Sequence, residues 1–103
     1  MKRSVAVFAL LAAPFGALAQ SSQELEGLRH FNQSCRVCHA HAALKAPQYG
    51  PLLSRVSLGG DAQALRTVIA NGTPRMPGFR YTFEPSEIDS IVAYLKSVPQ
   101  PSD

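Results

Sequence analysis

The sequence predicts an all-α domain of three main helices joined by ordered loops. Three observations lead there. Apolar residues recur at helical spacing in three stretches: Leu25-Leu28-Phe31, Leu65-Val68-Ile69 and Ile88-Ile91-Val92-Leu95. Each stretch is preceded by a capping signal. The one alternating run, Phe79-Tyr81-Phe83, has no partner strand elsewhere, so it reads as an extended loop lining a pocket.

The elements follow in order. Ser21 with Glu24 three residues later makes a capping box, and the first helix runs from about residue 22 into Cys35-Arg36-Val37-Cys38-His39. Gly27 inside it costs roughly 1 kcal/mol relative to alanine, which close approach of another helix explains. Residues 40 to 60 lack sustained periodicity and carry Pro47, Gly50, Pro51, Gly59 and Gly60. They read as an ordered loop with a short helical turn, whose Tyr49, Leu52, Leu53 and Val56 pack on something flat and apolar. Asp61 caps the second helix and Gly72 stops it. Thr73 to Phe79 is a loop stiffened by Pro74 and Pro77. Pro85 suits the first position of the last helix, with Glu87 reaching back and Phe83 stapled to Ile88. Tyr94 and Val98 widen its apolar face, Pro99 stops it, and the tail from Gln100 frays.

The chemistry lies in the cysteine motif. Two cysteines two residues apart, followed at once by histidine, are the pattern of covalent haem attachment. Each thiol forms a thioether to a vinyl group on one porphyrin edge, and His39 then stands beside the ring with a nitrogen for the iron. The chain has only these two cysteines. A structural zinc site asks for four ligands, usually in two separated pairs. A thioredoxin-like pair asks for a βαβ context. A disulfide across so short a loop would stabilise little. The loops are therefore expected to wrap around one haem.

Haem iron has a second axial position. A methionine there raises the reduction potential, and an open position admits ligands. The candidates are Met76, His30 and His41. Met76 lies between two prolines in a loop, a poor place for a gap-filling side chain. His30, in the first helix, reads as a surface histidine. His41, two residues beyond His39, can hardly reach the opposite face and reads as solvent-exposed. Met76 is the preferred second ligand.

Lys2 and Arg3, the apolar run from Ser4 to Gly16, and Ala17-Leu18-Ala19 have the layout of a secretory signal peptide. Residues 1–19 are read as that signal and 20–103 as the mature domain; a retained anchor is the alternative, against which stand the short run and its Pro14 and Gly16. Without the signal, eight basic and seven acidic side chains remain, so the +3 of the whole chain falls to +1. That balance gives no basic stripe for nucleic acid. Docking by charge must use a local patch.

These residues together resemble the small monohaem class I c-type cytochromes of bacteria, over nearly all of the mature chain. The resemblance rests on Gly27 and Phe31, on Cys35, Cys38 and His39, on Gly50-Pro51-Leu52-Leu53, on Met76-Pro77 and on the last helix with Tyr94. It implies a cytochrome c fold, with Gly27 crossing Tyr94. It implies that the Pro51 carbonyl holds the other nitrogen of His39, which makes Pro51 a cofactor-binding residue. It also implies export to the periplasm, one covalent haem c, a monomer without stable membrane insertion, and one-electron transfer rather than enzymatic turnover. The expected partners are redox proteins: a periplasmic dehydrogenase, or a membrane oxidase or reductase. The compact segment between His39 and Met76 departs from the family pattern, so Tyr49, Arg55 and Arg66 are only candidate propionate contacts. Two other readings stay open: a haem-bearing subunit fixed in a dehydrogenase complex, and a haem peroxidase or ligand sensor with a labile Met76.

A mature domain of about 84 residues is marginal without a staple, and covalent haem supplies one. The haem-free protein is therefore expected to be poorly folded by far-ultraviolet circular dichroism. A stable apo-protein with a cooperative melt would contradict this.

Overall fold

The computed structural model describes residues 2, 4–11, 20–40 and 48–100. Its helices are α1 Ser22–Ser34, α2 Ala62–Asn71 and α3 Pro85–Ser97, with a 3-10 turn Ser57–Gly60 before α2. Among the described residues no strand forms, apart from an isolated bridge between Thr73 and Met76. Residues 4–11 are not helical, and no described helix is long and apolar enough to cross a membrane. The Ala17-Leu18-Ala19 cleavage site, His41, and the tail beyond Gln100 lie outside the described residues.

Each helix starts where its cap stands. Ser21 Oγ accepts the Glu24 N–H at 3.1 Å. Asp61 Oδ1 accepts the Gln63 and Ala64 N–H groups at 2.8 and 3.1 Å. Glu87 reaches back to the Glu84 N–H at 2.9 Å, with Pro85 opening the first turn of α3. Each such cap contributes about 1 kcal/mol.

The core is built on α3. Ile88, Ile91, Val92, Tyr94 and Leu95 are buried together with Phe31 and Cys35, with Leu65 and Ile69 of α2, and with Phe83. Burying an isoleucine, leucine or phenylalanine of this kind contributes roughly 1.5–3 kcal/mol. The stripe of α1 is centred on Gly27 and Phe31, with Leu28 half-buried; Leu25, expected in it, lies at its edge and is 41% exposed. Helix α1 passes so close to α3 that a Cβ on Gly27 would lie 1.8 Å from the Ser90 carbonyl oxygen and 2.9 Å from Tyr94 Cβ. One turn on, the Phe31 and Tyr94 rings meet at 5.3 Å.

Two expectations need correction. The run Phe79-Tyr81-Phe83 is a turn, closed by the Thr82 and Phe83 N–H groups on the Phe79 carbonyl at 3.0 and 2.9 Å. The turn brings Phe79 and Phe83 to the same side, stacked at 6.0 Å, and sends Tyr81 into solvent beneath the Arg80 guanidinium. His30 is not a surface side chain: it is 17% exposed and sits edge-on to Phe83 at 4.9 Å, with Nε2 3.5 Å from Glu26.

Gly27→Ala places a methyl group where the backbone of α3 already stands. The expected loss is at least about 3 kcal/mol, because backbone cannot turn aside as a side chain can. A thermal melt should fall by on the order of 10–20 °C. An unchanged melt would mean that the two helices do not cross this closely.

Candidate functional site

The end of α1 delivers the cysteine motif. The Cys35 and Arg36 N–H groups both bond to the Phe31 carbonyl at 2.9 Å, so the motif begins one turn from the Phe31–Tyr94 contact. The Cys38 and His39 N–H groups then bond to the Cys35 carbonyl at 3.1 and 2.9 Å. These turns fold Cys35, Cys38 and His39 into a compact arch. Cys35 is buried and Cys38 half-buried. While Cys35 remains a thiol, burial, helped by the neighbouring Cys38, pushes it up to about 11.

The segment after residue 47 closes on this arch. The Gly50 N–H bonds to the Cys38 carbonyl at 2.8 Å. Gly50 lies flat against the imidazole: a Cβ there would sit 2.5 Å from His39 Cε1 and 2.6 Å from Nδ1. His39 Nδ1 is 2.7 Å from the Pro51 carbonyl oxygen. A carbonyl only accepts, so Nδ1 carries the proton and Nε2 keeps the lone pair that a metal can use.

Beside His39 opens a cavity of about 190 Å³, lined mainly by Phe31, Leu52, Leu53, Tyr94, Leu95 and Val98. Leu52 is nearly half exposed on this wall. Burial holds the Tyr94 phenol above its ordinary range, against a smaller opposing pull from Arg36. Two thiols, an imidazole with one free nitrogen and an apolar wall suit an iron porphyrin joined at one edge. No described group of three or more His, Cys, Asp or Glu side chains stands where it would hold a bare metal ion.

Met76 is placed by backbone. Thr73 and Met76 exchange N–H···O bonds of 2.9 and 3.2 Å around the turn Pro74-Arg75. The Phe79 and Arg80 N–H groups bond to the Ile69 and Ala70 carbonyls at the end of α2. Gly72, at φ 71°, passes where a Cβ would strike the Met76 carbonyl oxygen at 2.4 Å. At Gly78 a Cβ would lie 2.7 Å from the Ala70 carbonyl oxygen in the last turn of α2. The Arg75 guanidinium lies over the Tyr49 ring, 5.5 Å from its centre, which brings the Met76 turn to the segment packed on His39.

Arg66 is not free for a propionate. Its Nε bonds to Asp89 Oδ1 at 2.5 Å and ties α2 to α3, a half-exposed pair that contributes at most about 1 kcal/mol. The Arg55 backbone N–H bonds to the Val98 carbonyl at 2.8 Å and pins this loop to the end of α3.

The chain matches, over residues 22–95, the family described as cytochrome c oxidase, cbb3-type, subunit III. It belongs to that family of small class I c-type cytochromes. It carries haem c, attached covalently through Cys35 and Cys38, and is an electron carrier. Cytochrome c6 of Nostoc sp. is 26% identical over 91 residues, covering 84% of this chain and 81% of the relative.

Sequence reasoning missed what Gly50 and Gly78 do in this cytochrome. Glycines on both sides of Met76 and one before Pro51 were the available signal, but a glycine does not say which neighbour it admits. Gly50→Ala is expected to push the His39 imidazole away from Pro51 at a cost of about 1–3 kcal/mol. The check is the urea midpoint of the haem-loaded protein, which should fall at unchanged m-value.

Proposed function

We propose that this cytochrome is a periplasmic one-electron carrier with His39 and Met76 as axial ligands. Residues 1–19 are a signal that directs export, and the mature domain is 20–103. The observation that carries the reading is the hydrogen bond from His39 Nδ1 to the Pro51 carbonyl at 2.7 Å. It leaves Nε2 as the ligating nitrogen and holds the ring at one angle. Bound haem supplies the one-electron iron couple. The chain's own residues do the rest. Cys35 and Cys38 anchor one edge. His39 keeps its tautomer and orientation in both redox states. The apolar side chains from Phe31, Leu52, Leu53, Leu95 and Val98 exclude water, so a change of charge moves little solvent. Met76 on its braced turn supplies a soft sulfur ligand that favours the reduced iron. In this role the protein passes an electron and makes or breaks no bond in a substrate, so it acts as a carrier and not as an enzyme.

Its partners are a dehydrogenase that donates electrons and an acceptor such as a membrane oxidase. A second reading has one specific support: the matching family carries the description of an oxidase subunit. Under it the domain is held permanently in a membrane complex. Purification at moderate salt separates the two, because weak redox encounters use small interfaces and dissociate.

The ligand assignment is tested by Met76→Ala. The midpoint potential should fall by on the order of 0.2 V, a fraction of the roughly 0.8 V that axial ligands span. The oxidised protein should lose its weak far-red band and bind added imidazole. An unchanged potential would remove Met76 from the iron.

A further inference from the structure

The two segments that carry the proposed iron ligands are braced differently. The Met76 turn is held from behind, by Gly72, Gly78 and the bonds from Phe79 and Arg80 to the end of α2. The Tyr49–Pro51 segment is held from the other side, by the Gly50 N–H on Cys38 and the Pro51 carbonyl on His39. Arg75, one residue before Met76, reaches across to Tyr49, one residue before Gly50. Its guanidinium carbon lies 5.5 Å from the centre of the Tyr49 ring, within cation–π range. Tyr49 is 63% exposed, so it is not held in place by burial in the core.

We propose that Arg75 and Tyr49 form a clasp that holds the Met76 turn closed against the His39 segment and sets how readily the iron's Met76 position opens to an outside ligand. The proposal rests on Met76 and His39 being the ligands. Both are positioning residues: neither touches the iron. The braced backbone sets where the turn lies. The clasp adds an attraction that must be broken before Met76 swings away. A guanidinium over an exposed ring contributes little in absolute terms, but ligand exchange at the iron reports such small differences directly.

The experiment uses the ferric haem-loaded protein, titrated with imidazole while the far-red band is followed. Arg75→Gln and Tyr49→Leu should each raise the apparent imidazole affinity about 2- to 5-fold, the range expected for an exposed cation–π pair. The double variant should gain no more than either single one, since both remove the same contact. Tyr49→Phe keeps the ring face and should retain the wild-type affinity. Singles without effect, or singles that add, would overturn the clasp. So would Tyr49→Phe behaving as Tyr49→Leu, because the hydroxyl and not the ring face would then matter. An effect of Arg75→Gln alone would assign the change to lost charge near the iron and overturn it equally. Met76→Ala separates the two levels. If it leaves imidazole binding and the far-red band unchanged, the ligand assignment fails and the clasp fails with it; if it abolishes the band while the clasp variants are silent, only the clasp fails.

Discussion

Helix α1 lies on α3 with no side chain between them at Gly27, where even a methyl group would meet the Ser90 carbonyl. That close crossing sets the position of everything downstream. It brings Phe31 onto Tyr94, and the Phe31 carbonyl then receives the N–H groups that open the cysteine motif. The place and direction of Cys35, Cys38 and His39 are therefore set from a contact more than one helical turn earlier. A wider crossing would move the anchoring thiols relative to the apolar wall that α3 supplies from Tyr94, Leu95 and Val98.

From that crossing outward, the site is held mostly by backbone. Gly50 bonds to Cys38, Pro51 presents its carbonyl to His39, Arg55 bonds to Val98, and Phe79 and Arg80 bond to the end of α2. Lys96 adds a bond from Nζ to the Gly60 carbonyl, which ties the 3-10 turn to α3. Backbone contacts of this sort hold a geometry that changes little when an electron arrives, and a carrier gains from a site that does not reorganise. Glycine recurs because these chains pass within the radius of a Cβ. At Gly72 the left-handed φ adds a second reason.

Charge plays a smaller part. Arg66 and Asp89 join α2 to α3 at the surface, and Arg75 lies over Tyr49. Over the whole chain ten basic and seven acidic side chains leave a net charge of +3.

The sequence by itself determined the cofactor chemistry, the three helices and their caps. Cysteine spacing, helical periodicity and Ser21, Asp61 and Pro85 are local signals, each complete within a few residues. It also singled out Gly27, because a glycine inside a helix has a local cost that asks for a distant reason. Only the tertiary structure decided which neighbours Gly50, Gly72 and Gly78 admit, that Tyr81 faces solvent while Phe79 and Phe83 turn inward, that His30 lies against Phe83, and that Arg66 is engaged by Asp89. It alone set Arg75 over Tyr49. These are contacts between residues far apart in the chain, or choices of side made by a turn, and neither periodicity nor spacing carries information about them.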